Sequence, residues 1–305
     1  MPTEFDQLTW DGMLADDCRQ LVRLAVREDL ERGLDWTTVA LVASGRRGRA
    51  AIVAREAGVV CGLRAAETVI DEMDAYIELI PQLADGDAVA PDQAVAELAG
   101  SARDLLTCER TILNFMGRLS GIATLTREYV QRAANPEVRI YDTRKTTPGW
   151  RRLEKFAVHC GGGWNHRTGL FDAVLIKDNH LALANEAKLS PAASVELVRE
   201  NLRQLLPDTA AEMVIEVEVD SLAQLQDVLA TAPDVVLLDN MPPAMLREAV
   251  KFRVAIAPSV VLEASGGVHL QTIAAIAATG VDRISVGALT HSARTLDLGI
   301  DWQVD

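Results

Sequence analysis

Arg144 and Lys145 stand side by side after the apolar run Val138-Arg139-Ile140-Tyr141. Arginine offers a planar fork that grips a carboxylate or phosphate with two hydrogen bonds, and lysine adds a mobile point charge. His166-Arg167 follows Gly161-Gly162-Gly163, a run that lets backbone come close to a ligand. Lys177 closes the apolar run Ala173-Val174-Leu175-Ile176. Later runs end near Glu218 and Asp239, whose hard oxygens suit ribose hydroxyls or a Mg2+ ion shared with a diphosphate. Ser265-Gly266-Gly267 and Gly287 suit a phosphate held by main-chain N–H groups. Each feature alone has a plain alternative: a surface Arg-Lys pair, a tight turn at Gly266-Gly267, a hydrogen-bonded structural His166, a surface Lys177. Glu216 and Glu218 are two apart, so they share a strand face, and an inward carboxylate needs a partner to offset its desolvation. Together the residues form a set with cations for a multiply charged anion, acids for hydroxyls and metal, and glycines for phosphate.

The set needs elements that bring distant stretches to one place. From about residue 138 a rhythm repeats: a short apolar strand, a polar tip, a helix. The strands are predicted at 138–141, 173–176, 213–219, 235–238, 260–263 and 283–286, with helices at 194–206, 222–230, 243–251 and 270–279. That grammar belongs to a parallel α/β barrel, whose strand tips face one mouth; six strands rather than eight make it incomplete. A doubly wound open sheet is the competing architecture. Upstream the pattern is α+β. A helix is expected from Cys18 to Leu30 and another from Leu63 to Met73, with β-like runs at 50–54, 59–61 and 76–83. Asp104 to Ala134 reads as one or two helices joined near Ser120-Gly121. The reading is an N-terminal α/β domain over 1–115, to which 293–305 returns, and a catalytic barrel over 116–292.

Composition narrows the classes. The 305 residues carry a net charge of −14, which disfavours nucleic acid as a partner. Yet between Arg139 and Lys177 eight Lys/Arg face only three acids, a basic island suited to a small anion. A solvated basic face is the competing explanation. No apolar run is long enough to cross a bilayer, and the first ten residues do not resemble a signal peptide. Cys18, Cys61, Cys108 and Cys160 are scattered without a CxxC pair, so neither a zinc site nor a disulfide framework is indicated, and a reducing cytoplasm is expected.

The sequence resembles the quinolinate phosphoribosyltransferase family. The resemblance rests on Cys108-Glu109-Arg110-Thr111-Ile112-Leu113-Asn114, Ser120-Gly121-Ile122-Ala123-Thr124, and Asp142-Thr143-Arg144-Lys145-Thr146-Thr147-Pro148-Gly149. It continues through Gly161-Gly162-Gly163-Trp164-Asn165-His166-Arg167, Lys177-Asp178-Asn179-His180, Glu216-Val217-Glu218-Val219, Leu238-Asp239-Asn240 and Glu263-Ala264-Ser265-Gly266-Gly267. It implies an N-terminal open α/β sandwich, a C-terminal incomplete (TIM-like) α/β barrel, and a homodimer, or a hexamer built from dimers, with a shared active site. Arg110 from the partner subunit, Thr143, Arg144, His166, Arg167 and Lys177 would surround quinolinate. Lys145 and Lys177 would face phosphoribosyl pyrophosphate, Glu218 and Asp239 would hold ribose hydroxyls and Mg2+, and Ser265, Gly266, Gly267, Gly287, Ala288 and Leu289 would wrap the 5′-phosphate. One departure is Leu34, which separates Gly33 from Asp35 where the family usually joins Gly to Asp; it bears on the shape of that loop.

The implied reaction is phosphoribosyl transfer to the ring nitrogen with loss of CO2 and pyrophosphate, giving nicotinate mononucleotide for NAD biosynthesis. No covalent enzyme intermediate is expected; positioning and electrostatics would supply the catalysis. Three rivals are a related protein of a molybdate-uptake cluster acting on another ring, a Schiff-base barrel aldolase using Lys177, and a binding protein without activity.

Overall fold

The computed structural model describes residues 4–183 and 189–303. The chain forms two compact units. One comprises Leu8–Arg127, Lys145–Gly162 and Leu289–Asp305; the other, the barrel unit, comprises Met1–Gln7, Glu128–Arg144 and Gly163–Ala288. The described residues include no helix long and apolar enough to cross a membrane.

The first unit opens with α1 (Gly12–Leu30), α2 (Trp36–Leu41), β1 (Arg47–Ala54), β2 (Gly58–Val59) and α3 (Leu63–Glu72). β3 (Ile77–Pro81), β4 (Ala88–Val89) and β5 (Ala94–Ser101) follow, then α4 (Ala102–Ala133). The carboxylate of Asp35 caps α2, accepting from Thr38 N at 3.0 Å, so the Gly33-Leu34-Asp35 departure is built as a helix start. β12 (Leu298–Gln303) joins an antiparallel sheet of order β12-β1-β5-β3; residues 304–305 of the expected returning segment lie outside the described residues.

α4 is one helix, not two. Its small residues at 117, 120 and 121 mark close approach rather than a break. A Cβ on Gly121 would come 1.9 Å from Arg294 O, and one on Gly117 would come 2.8 Å from the Thr295 methyl. The Ser120 hydroxyl bonds the main chain of Cys61 as donor and acceptor, at 3.0 and 2.9 Å.

The barrel unit carries six parallel strands: β6 (Arg139–Tyr141), β7 (Ala173–Ile176), β8 (Val214–Val219), β9 (Val235–Asp239), β10 (Val261–Ser265) and β11 (Arg283–Ser285). Their order is β6-β11-β10-β9-β8-β7. This is chain order read round a ring that opens only between β6 and β7, as the rhythm of strands and helices predicts for an incomplete barrel. At the opening Trp164 makes a single parallel bridge to Tyr141. The intervening helices start where capping chemistry dictates. Ser190 and Ser221 cap the helices Pro191–Leu205 and Leu222–Leu229, and the helix Pro243–Ile256 begins on proline. Asp234 and Asp282 each precede a strand and accept a main-chain N–H of the neighbouring strand, Ile215 and Leu262, both at 2.8 Å. These carboxylates tie β8 to β9 and β10 to β11 at the strand starts.

Inside the barrel the lowest layer is apolar. Ala173, Val214, Val235 and Val261 are the first residues of their strands and pack with Tyr141, Trp164 and Phe5. Above that layer the interior turns polar, with Glu216, Glu263 and Arg283 almost fully buried.

Candidate functional site

Parallel pairing puts every strand tip of the barrel unit on the same side. Ile176 pairs with Val217, so Lys177 emerges beside Glu218, and its ammonium lies 2.5 Å from Glu218 Oε2. Val219 pairs with Leu238 and Ser265 with Asp239, which sets Glu218, Asp239 and Ser265 at successive tips. Asp239 Oδ2 accepts from the Asn240 amide at 2.8 Å, and Asn240 N donates to Ser265 O at 2.9 Å. Gly266 has φ +87°, and a Cβ there would stand 2.2 Å from Asn240 Oδ1; this position admits only glycine. Gly267, φ +60°, faces open space. Gly287 and Ala288 follow β11, whose extension is held by Val286 N donating to Tyr141 O at 2.9 Å.

Thr143 and Arg144 follow β6, and the buried Asp142 before them organises the tip. Its Oδ1 accepts from His166 N at 2.9 Å and its Oδ2 from the Asn165 amide at 2.8 Å, so one carboxylate ties the strand tip to the loop that carries His166-Arg167. Asp172 closes that loop from the other end by accepting from the N–H groups of Thr168 and Gly169. Arg167 donates to Ala173 O at 3.0 Å. Burial, and then the positive charge of Arg144, hold the Arg167 guanidinium below its ordinary value, with Glu216 and Asp172 pulling the other way. The positive charge of Arg144 reaches Arg167, an arrangement that suits a multiply charged anion.

His166 has its ring nitrogens turned into the protein. Nδ1 accepts the main-chain N–H of Arg167 at 2.8 Å, so Nε2 carries the ring proton. Nε2 lies 3.0 Å from Glu216 Oε2 and 3.6 Å from Glu263 Oε1. Burial, and then the charge of Glu216, push the Glu263 carboxyl up to about 7. The ligand atoms of His166, Glu216 and Glu263 lie within 4.8 Å of one another, close enough to hold a divalent cation by count. The tautomer speaks against a metal: neutral histidine coordinates through a nitrogen that bears no proton, and here that nitrogen is already engaged. The cluster is a buried charge group: the imidazole lies beside two carboxylates whose oxygens accept no hydrogen bond among the described residues.

The barrel unit therefore brings together Thr143, Arg144, His166, Arg167, Lys177, Glu218, Asp239, Ser265, Gly266, Gly267, Gly287 and Ala288. The remaining expected residues belong to the other unit: Arg110, exposed on α4; Lys145, whose carbonyl accepts from the Thr290 hydroxyl at 2.8 Å; and Leu289.

Residues 35–120 match the family model described as the N-terminal domain of quinolinate phosphoribosyl transferase, and residues 122–301 match that of its C-terminal domain. The chain belongs to the quinolinate phosphoribosyltransferase family. A Mycobacterium leprae relative named nicotinate-nucleotide pyrophosphorylase [carboxylating] is 45% identical over 289 residues, covering 94% of this chain and 97% of the relative. A Nicotiana tabacum relative named quinolinate phosphoribosyltransferase [decarboxylating] 1b is 38% identical, covering 93% of this chain and 82% of the relative. The solved structure of the nicotinate-nucleotide pyrophosphorylase from Francisella tularensis superposes with a TM-score of 0.86 at 37% identity, covering 98% of this chain and all of that one.

In this quinolinate phosphoribosyltransferase family member, site-building residues outside the expected set are Asp142, Glu263 and the segment Glu4–Gln7. Asp142 could have been found, since an acid between an apolar strand and a basic tip is a natural loop anchor. Glu263, inside an otherwise apolar strand, carried the same signal as Glu216. Nothing in the sequence pointed to residues 4–7.

Proposed function

We propose that this chain transfers the phosphoribosyl group of phosphoribosyl pyrophosphate to the ring nitrogen of quinolinate, with loss of CO2 and pyrophosphate, yielding nicotinate mononucleotide for NAD biosynthesis. The observation that carries the reading is that the Arg144 charge acts on the buried Arg167 guanidinium, with Lys177 at the tip of β7 in the same unit. Two planar cations in mutual repulsion suit a flat ring with carboxylates on adjacent carbons. Arg144, Arg167 and Lys177 bind those carboxylates, with Thr143 beside Arg144. His166 serves the same pocket by fixing the main chain of Arg167. Lys145 faces the pyrophosphate, and Ser265, Gly266, Gly267, Gly287, Ala288 and Leu289 enclose the 5′-phosphate.

With both substrates held, the ring nitrogen's lone pair forms the bond to the anomeric carbon as the bond to pyrophosphate breaks. Glu218 and Asp239 stabilise the positive charge that develops on the ribose. The alkylated nitrogen then makes the ring an electron sink. The adjacent carboxylate departs as CO2, its bonding electrons stay on the ring carbon, and that carbon takes up a proton. Glu218 and Asp239 also fit a Mg2+ ion. Both offer hard oxygens, and Lys177 and Asn240 engage only Oε2 of the one and Oδ2 of the other. When bound there, the ion neutralises charge on the departing pyrophosphate.

The Schiff-base reading of Lys177 loses weight because its ammonium forms an ion pair with Glu218, as a charged, anion-facing lysine does and a neutral nucleophile would not. The full set of anion-binding residues likewise favours a dicarboxylate over the single-carboxylate ring of the molybdate-cluster alternative. We also propose a homodimer, alone or within a hexamer, in which Arg110 completes the partner subunit's site, and a cytoplasmic location in keeping with four free cysteines. Incubating the purified protein with quinolinate, phosphoribosyl pyrophosphate and Mg2+ tests the reaction: nicotinate mononucleotide and CO2 should form in equal amounts, and absence of both overturns it. Mixing inactive Arg110→Ala with inactive Lys177→Ala protein tests the shared site: part of the activity should return, and no recovery despite subunit exchange counts against it.

A further inference from the structure

Residues 4–7 lie outside both family-model matches, which begin at residue 35, yet they belong to the barrel unit. Their contacts are dense for so short a segment. The Glu4 carboxylate accepts from the Tyr141 hydroxyl at 2.6 Å, pairs with Arg139, and lies 3.1 Å from the guanidinium of the buried Arg283. Phe5 is 6% exposed. Its ring stacks on the His166 imidazole with centroids 4.4 Å apart and planes inclined by 28°. Gln7 takes both main-chain groups of Asn165: its Oε1 accepts from Asn165 N at 2.8 Å, and its Nε2 donates to Asn165 O at 3.2 Å and to Phe5 O at 2.9 Å.

These contacts converge on two consecutive residues, Asn165 and His166, immediately before Arg167. Gln7 fixes the main chain of the first, and Phe5 covers a ring face of the second. The ring edges of His166 are already set, with Nδ1 on Arg167 N–H and Nε2 toward Glu216. Phe5 closes one face of the ring. Glu4 holds Phe5 in place through Arg139, Tyr141 and Arg283, which come from the first and last strands of the barrel. Packing alone would explain an apolar side chain in the lowest layer. It does not explain a glutamine bonded to both main-chain groups of a site-loop residue, or a ring laid flat on the histidine that orients the anion-binding arginine.

We infer that Glu4–Gln7 is a positioning segment for the quinolinate pocket, acting through Asn165 and His166 to set Arg167. This inference rests on the proposed reaction and adds residues that act without touching substrate. Losing the segment's grip should loosen Arg167 and weaken quinolinate binding selectively. The contacts above touch β11 at Arg283, its first residue, and none of the tip residues Glu218, Asp239, Ser265 and Gly287 on which the phosphoribosyl side is built.

The test is steady-state kinetics on the full chain, with wild type, Phe5→Ala and Gln7→Ala assayed for both substrates alongside thermal melting. Both variants should raise the KM for quinolinate about tenfold or more, the scale of loss that follows from a small misplacement of a binding group. The KM for phosphoribosyl pyrophosphate should stay within about twofold. In 15N-histidine spectra the wild-type His166 ring should show an unprotonated Nδ1, and that signal should broaden or shift in Phe5→Ala. Gln7, half-buried and bonded to main chain, carries the test if Phe5→Ala fails to fold. A lower melting temperature with an unchanged quinolinate KM would reduce the segment to a structural plug and overturn the inference, as would equal losses for both substrates. A wild-type protein that makes no nicotinate mononucleotide would instead sink the proposed reaction, a separate outcome visible in the same assay.

Discussion

The imidazole Nδ1 of His166 accepts the main-chain N–H of Arg167 at 2.8 Å, so a side chain holds in place the backbone of the residue that follows it. The bond fixes the tautomer, and with it the proton on Nε2 that faces Glu216. His166→Ala removes the acceptor and leaves the buried Arg167 N–H without its partner, a loss of about 1–3 kcal/mol. Expressed in kcat/KM for quinolinate, that is roughly a 10- to 100-fold decrease. His166→Asn can supply an acceptor but no ring to meet Phe5, and should recover only part of it. Wild-type activity in His166→Ala would show that Arg167 needs no such support.

The positive charge of Arg144 acts on the Arg167 guanidinium, a repulsion that a dianion bound by both would relieve. Arg144→Ala should therefore cost about 3 kcal/mol in kcat/KM for quinolinate, the scale for truncating one partner of a desolvated charge pair. Arg144→Lys restores the charge but not the fork, so it should fall between. Burial, and after it Arg144, holds the Arg167 guanidinium below its ordinary value, so the same variant should raise the affinity of Arg167 for its proton. The two losses should be non-additive in a double-mutant cycle. Additive losses would separate the two arginines into independent sites.

The barrel and its tips were legible in the sequence because parallel strands buried on both faces leave continuous apolar runs, and the residue after each run is a tip by construction. Lys177 and Asp239 follow from that alone, and Ser265 stands one residue further on. The helix around Ser120-Gly121 was harder to read, since small residues serve a helix break and a close approach equally well; only the passing chain at Arg294 decides between them. Residues 4–7 were illegible for a different reason. A lone phenylalanine among polar residues has no periodicity, and its partner His166 is 161 positions away. Short segments that act through long-range packing carry no local pattern.

Lys177 and Glu218 form an ion pair in which the lysine side chain is 42% exposed. Such a pair contributes little to stability, about 0–1 kcal/mol. Lys177→Ala should melt within a few degrees of wild type, by thermal denaturation, while losing most of its turnover. The contrast separates an anion-facing cation from a structural one: a large drop in melting temperature with preserved turnover would place Lys177 in the framework.

Glu263 gives the fold a pH dependence of defined sign. Its carboxyl is pushed from the ordinary glutamate value of 4.5 up to about 7 by burial and then by Glu216, while His166, Arg283 and the Ser285 hydroxyl pull it down. In the unfolded chain the group releases its proton near its ordinary value; in the folded chain it keeps that proton until about pH 7. Between these values the native state binds more protons than the unfolded state, so stability falls as pH rises through the window and levels off on either side. Glu263→Gln, which keeps the shape and cannot ionise, should match wild type near pH 4 and exceed it above pH 7. Urea midpoints for both proteins across that range isolate the contribution of this one group from all the others that titrate. A wild type that instead gains on the variant as pH rises would mean that the carboxylate is charged and well paired inside the barrel, with His166 or Arg283 supplying more than burial takes away.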